Sequence, residues 1–187
     1  MARLTRDVQH AAAMIRGGGL VAYPTEAVFG LGCDPRNELA VHRLLTAKHR
    51  LPDKGLILIA ADFSQLAPFL RPVEAALQAR AMATWPGPVT WLWPCRPDVP
   101  PWLTGDRDVL AVRMTDHPLA ADLCHQAGRA LVSTSANRSG EPPARDAHTV
   151  QQTLGKLLDT ILEGDTGGRD KPSEIRDLVT GDIVRDG

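Results

Sequence analysis

The stretch 131-LVSTSANRSGEPPAR-145 decides how the chain is read. Residues 130–132 are a short apolar run with the composition of a buried strand. The run passes directly into Ser133, Thr134, Ser135 and Asn137, then Gly140 and two prolines. A strand that ends in hydroxyls and an amide delivers hydrogen-bonding groups to one mouth of a sheet. In open α/β sheets, ligands bind outside the carboxyl ends of the strands. Such a mouth suits a polyanion or a small zwitterion. The same residue types also build ordinary turns, and the neighbouring segments have to decide.

Upstream, a helix is expected over 5–16, where Val8, Ala12 and Ile15 share a face, closed by Gly17, Gly18 and Gly19. Residues 20–23 read as a strand stopped by Pro24. Thr25 and Glu26 follow it, and 29-FGLGCDP-35 reads as a turn-rich loop. Asn37 is placed to cap a helix over 38–48. The run 55-GLILIA-60 is continuously apolar, as in a sheet covered on both faces. Asp62 is expected to cap a short helical turn, and Pro72 to open a longer helix to residue 84, broken by 85-WPGP-88. Strands over 89–93 and 109–113 flank a loop over 94–108. A helix over 118–127, closed by Gly128, leads into the central stretch. Downstream come a weaker helix over 149–158, a strand at Ile161 and Leu162, and the glycine-rich loop 164-GDTGGRDKPS-173. Short strands over 173–176 and 183–185 end the chain. Strands alternating with helices argue for an α/β domain. The closely spaced final segments suggest hairpins. The expected architecture is therefore one domain over 1–187, with an open mixed sheet flanked by helices.

Composition narrows the class. The chain has 187 residues, 43% hydrophobic and 23% charged, with a formal charge of −1; this balance makes no bulk case for nucleic acid or membrane. Of 21 basic residues only four are lysine, which singles out Lys48. Cys33, Cys95 and Cys124 form no CxxC pattern, so neither a zinc site nor a disulfide framework is indicated, and a reducing cytoplasm fits. The N-terminus lacks a signal-peptide pattern, and no apolar run approaches the roughly 20 residues that span a bilayer. The histidines show no HxxxH or HExxH spacing, so no metal site is expected. GxxxxGK[ST] and GxGxxG are absent.

Four groups fall at strand or helix exits: Thr25; Lys48 with Arg50; Arg113; and the Ser133 to Asn137 mouth, joined by Ser173 and Arg185. Each has an ordinary alternative. Lys48 and Arg50 complement a helix C-terminal dipole, Arg113 pairs with a carboxylate, and Thr25 is a turn hydroxyl. Together they make sense for a ligand with several phosphates, lysine supplying a compact charge and arginine a planar fork, with hydroxyls fixing orientation. The residues alone support a generic anion-binding enzyme.

Beyond that, the chain resembles the YrdC/TsaC family, the L-threonylcarbamoyladenylate synthases, along essentially its whole length. The resemblance rests on 23-YPTEAVFGLGCDP-35, on 48-KHR-50 as the family's KxR, and on 85-WPGPVT-90 and 111-AVRMTDHP-118. It continues with 133-STSANRSG-140, whose Ser135 and Asn137 form an SxN, and with 172-PSEI-175. The resemblance implies a twisted open α/β sheet around a deep, positively lined cavity. It also implies a reaction in which L-threonine, bicarbonate and ATP give threonylcarbamoyl-AMP and pyrophosphate. Separate partner proteins later pass the carbamoyl group to a tRNA adenosine. It casts Lys48, Arg50, Ser135 and Asn137 as a catalytic tetrad on the nucleotide phosphates, with Arg185 as a further ATP contact. Thr25, Arg113, Ser133 and Ser173 become the threonine site, with Arg113 on the substrate carboxylate. Mg²⁺ would ride on the ATP phosphates with its waters. Two departures stand out. Many relatives carry an Asn-Pro-Leu run and a histidine after KxR, where this chain has 53-DKGLILIA-60. Longer relatives add a C-terminal domain, so closure over the site is expected from this chain's own loops or from partners. Two other readings are an RNA-binding module of tRNA or ribosomal RNA maturation, and a domain that handles carbamoyl phosphate.

Overall fold

The computed structural model describes residues 1–186. In chain order its elements are β1 (Arg3–Thr5), α1 (Val8–Arg16), β2 (Val21–Pro24), β3 (Phe29–Gly32), α2 (Glu38–Lys48), β4 (Ile57–Ala60), α3 (Phe63–Leu66), α4 (Ala75–Met82), β5 (Val89–Pro94), α5 (Pro101–Thr104), β6 (Val109–Met114), α6 (Pro118–Ala127), β7 (Leu131–Ser135), α7 (Ala147–Thr153), β8 (Thr160–Leu162), β9 (Glu174–Asp177) and β10 (Ile183–Arg185). Among the described residues the strands form one open sheet in the order β1-β8-β2-β3-β7-β4-β6-β5-β9-β10. Parallel pairs (β1 with β8, β2 with β8, β4 with β6, β5 with β9) mix with antiparallel ones. The expected open mixed sheet flanked by helices is what forms. Among the described residues no helix is long and apolar enough to cross a membrane.

Both faces of the sheet are covered, which explains the unbroken apolar runs. On one face α1 and α6 bury Val21, Tyr23, Ile59, Leu131 and Leu162. On the other, α2 and its neighbours pack Val41, Leu44 and Leu45 with Leu58, Trp91, Trp93, Val112 and Val132. Each fully buried apolar side chain of this size contributes about 1.5–3 kcal/mol.

Several elements differ from the sequence-based expectation. The segment read as a loop over 29–35 begins with β3. Its glycines hid the strand, yet they are there because Tyr23 crosses them: a Cβ on Gly32 would lie 2.8 Å from the Tyr23 ring and 2.6 Å from the Val132 carbonyl. The edge strand β1 is only three residues long and carries no alternation that a pattern could detect. The 94–108 loop contains α5. The helix expected from Pro72 starts at Ala75. The α7 helix runs over Ala147–Thr153, opened by the Asp146 carboxylate on the Thr149 amide, rather than over 149–158.

Register fixes where the site lies. Gly30 pairs with Ser135, Ile57 with both Ser133 and Ala111, and Ile59 with Arg113. Residues paired in register point to the same face, here the face that α1 and α6 cover. Past those helices that face continues as the floor of a cavity, and Gly30, Ile57, Ala111, Arg113, Ser133 and Ser135 all line it.

Candidate active site

The cavity measures about 590 Å³, inside the range of small-molecule sites of about 300–1,000 Å³. Gly30, Ala111, Ser133 and Ser135 are small, so over that part of the floor the backbone lies close to whatever occupies it. Eight arginine or lysine side chains and two carboxylates, Glu26 and Asp170, line it among the described residues. The loop over 164–173 forms one side, held by Gly167 N–H donating to the Thr25 carbonyl at 3.0 Å and Arg169 N–H to that of Glu26 at 2.9 Å.

Seven of the nine residues singled out in the sequence line this cavity: Thr25, Arg50, Arg113, Ser133, Ser135, Ser173 and Arg185. Several of them already have protein partners. The Thr25 hydroxyl donates to the Val28 carbonyl at 2.7 Å, and Arg50 Nη2 to that of Gly55 at 2.8 Å. The Ser173 hydroxyl lies 2.9 Å from the Thr90 hydroxyl, and Arg185 Nη2 donates to the Ser173 carbonyl at 2.6 Å. The Arg185 pKa is lowered, by burial first and then by the positive charges of Arg113 and Arg50. Burial also lowers that of Arg50; Asp53 opposes the shift and Arg107 adds to it. Cations that repel one another across a shared space are relieved by an anion placed between them.

Lys48 and Asn137 are not in the cavity wall. Lys48 is 2% exposed, and its ammonium donates to the Ser135 carbonyl, to the Asn137 carbonyl at 2.8 Å and to Asn137 Oδ1 at 3.3 Å. Burial, and then the Arg50 charge, bring the Lys48 pKa down to about 8. The Asn137 amide donates to the carbonyls of Arg138 and Glu141. Both side chains hydrogen-bond within the Ser135–Asn137 turn, whose Ser135 lines the cavity. The lysine in the wall from this part of the chain is Lys54, at the end of the 3-10 turn Pro52–Lys54. That turn overlaps the segment 53-DKGLILIA-60, noted above as a departure from the expected pattern.

Sequence reasoning passed over Glu26. It is 6% exposed, lines the cavity, and accepts three hydrogen bonds at Oε1: from Arg113 Nη1 at 2.5 Å, from the Thr115 hydroxyl at 2.5 Å and from the Asp116 amide at 3.3 Å. Burial opposes its charge, but Arg113 and the donated hydrogen bonds outweigh burial and hold the carboxyl well below the usual carboxylate range. The signal was its place at the exit of β2 beside Thr25, a position that a turn also explains. His117 continues the network. Its Nδ1 accepts from the Ala120 amide as the cap of α6, which leaves Nε2–H to donate to the Asp165 carbonyl at 3.0 Å. Among the described residues no cluster of three or more His, Cys, Asp or Glu is placed to hold a metal ion.

Comparison with known proteins bears on this site. The Sua5/YciO/YrdC family model, described as "Telomere recombination", matches residues 13–187. A threonylcarbamoyl-AMP synthase of Nitrosococcus oceani is 59% identical over 178 residues, covering 95% of this chain and 96% of that one. Among solved structures, P. abyssi Sua5 complexed with L-threonine superposes with a TM-score of 0.87 at 34% identity; the match takes in 95% of this chain and 54% of that longer protein. E. coli YciO superposes with a TM-score of 0.85 at 25% identity, covering 100% and 96%.

Proposed function

The chain belongs to the Sua5/YciO/YrdC family, and from that premise we propose that it makes L-threonylcarbamoyladenylate and pyrophosphate from L-threonine, bicarbonate and ATP. The product serves the threonylcarbamoyl modification of tRNA through separate transferring proteins. The observation that carries this reading is the half-committed fork of Arg113. Its Nη1 is tied to Glu26, while Nη2 has no protein partner among the described residues and the side chain faces the cavity. A guanidinium in that state is prepared for a carboxylate. The Ser133 hydroxyl and the Ser173 and Thr25 groups around it suit the rest of a small hydroxy-amino acid. That P. abyssi Sua5 forms a complex with L-threonine supports threonine as the substrate.

The chemistry divides the cavity. The threonine amine adds to bicarbonate-derived CO2 and loses a proton, giving the carbamate. A carbamate oxygen then forms a bond to the α-phosphorus of ATP as the bond to the leaving pyrophosphate breaks. Arg50 and Arg185 supply positive charge for the phosphates, with Lys54 and Arg107 on the same wall. Ser135 contributes a hydroxyl, while Lys48 and Asn137 hold the turn that carries it. Catalysis of this kind is mainly positioning and charge stabilisation. Mg²⁺ would enter with ATP and would add charge neutralisation on the phosphates to that of Arg50 and Arg185. Curated relatives such as that of Nitrosococcus oceani carry the synthase name, which favours synthesis over the RNA-binding alternative.

The test is incubation of the purified protein with labelled bicarbonate, ATP, Mg²⁺ and L-threonine. Labelled adenylate and pyrophosphate that depend on threonine are expected. Folded protein that binds ATP and forms neither product overturns the reading.

A further inference from the structure

We propose that Glu26 is a positioning residue for the substrate: it fixes the plane of the Arg113 guanidinium and thereby sets which edge is offered to the threonine carboxylate. The inference rests on the assignment of Arg113 above. An arginine at a strand end has several rotatable bonds, and its fork is useful only when held. Glu26 holds it from β2's exit, across β3, β7 and β4, on a strand distant in sequence. The carboxylate is itself held by the Thr115 hydroxyl and the Asp116 amide, so the pair does not drift together. The remaining backbone of Glu26 anchors the 164–173 loop through Arg169 N–H. A Cβ on Gly167 would come within 3.0 Å of Glu26 Cα and carbonyl oxygen. One residue therefore joins the arginine, the Thr25 backbone and the loop that walls the cavity. Glu26 lacks the proton affinity for general-base work, because its neighbours stabilise the ionised form; orientation is the role its contacts support.

The experiment compares wild type, Glu26→Gln, Glu26→Ala and Thr115→Val, with initial rates measured over a range of threonine and of ATP. L-threonine binding is followed separately by calorimetry, and folding by thermal melts. Glu26→Ala is expected to raise the KM and Kd for threonine by about tenfold or more, the loss that one charge-assisted hydrogen bond implies, with the KM for ATP changed much less. Glu26→Gln keeps an acceptor oxygen and is expected to fall between wild type and alanine. Thr115→Val loosens the carboxylate and is expected to move the same constant by a smaller step. Should Glu26→Ala not fold, Glu26→Gln and Thr115→Val carry the comparison. An unchanged threonine constant in folded variants, or equal rises for threonine and ATP, overturns the proposal. Failure of the underlying reading is distinguishable, because wild type would then neither bind threonine nor form adenylate.

Discussion

Lys48 Nζ lies 2.8 Å from the carbonyl oxygen of Asn137. With the Ser135 carbonyl and Asn137 Oδ1 it uses the full donor capacity of the ammonium. The end of α2 is thereby pinned to the turn after β7, and Ser139 N–H returns a bond to the Lys48 carbonyl at 2.9 Å. Lys48→Met removes the donor and leaves the part-buried Asn137 carbonyl without its partner, at a cost of about 1–3 kcal/mol. The expected outcome is loss of adenylate formation together with a lower unfolding midpoint in urea. A direct role on the nucleotide phosphates would instead cut turnover with stability unchanged.

Arg113 is tested by Arg113→Lys rather than Arg113→Ala. Removing the cation altogether would leave Glu26 charged and buried without its partner, which costs about 3–5 kcal/mol and confuses binding with folding. Lysine keeps the charge and loses the planar fork. The KM for threonine is expected to rise by about tenfold or more, in steady-state rates at saturating ATP, with the melting temperature close to wild type.

How much of this was legible in the sequence depended on the kind of signal. GLILIA and the stretch leading into Ser133 stood out because both faces of β4 and β7 are buried, so the runs are apolar without interruption. β3 was hidden because its glycines serve a contact with Tyr23 that only the folded sheet creates. Site residues were found where polar groups terminate strands, as at Ser133, Ser135 and Arg113. Glu26 was missed for a different reason: its meaning lies in Arg113 and Thr115, 87 and 89 positions away. The Lys48 motif was visible, but the carbonyls that its ammonium meets were not. A lysine that points at carbonyls and one that points at phosphates have the same sequence spacing.

Acid should expose the Glu26 network. Its folded pKa lies below the ordinary value of 4.5, so in the interval beneath that value the unfolded chain binds more protons. The stability it contributes is therefore complete above the unfolded pKa and is lost as pH falls toward and through the folded one. Denaturant midpoints of wild type and Glu26→Gln, taken from neutral pH downward, are expected to draw together once the pH passes below 4.5. Parallel curves would mean that the carboxylate is no better stabilised in the fold than in water.

Gly105 links the loop before β6 to the wall that carries Lys54. Its φ is +61°, and a Cβ there would lie 2.2 Å from the Asp53 carbonyl oxygen and 2.9 Å from the Gly55 nitrogen. Leu56 N–H donates to the Leu103 carbonyl at 2.8 Å, and Arg107 Nη2 reaches the Asp53 carbonyl at 3.4 Å. Gly105→Ala therefore combines left-handed strain, about 1–3 kcal/mol, with a backbone clash that only a shift of the Pro52–Lys54 turn can relieve. Gly128 provides the control, since its φ is +71° but nothing lies within 4 Å of the added Cβ. Both alanine variants are expected to melt below wild type. Gly105→Ala alone is expected to raise the KM for ATP, because it displaces Lys54 and Arg107 from the cavity wall proposed to hold the phosphates. Equal ATP constants in the two variants would separate that wall from nucleotide binding and leave Arg50 and Arg185 as the phosphate contacts.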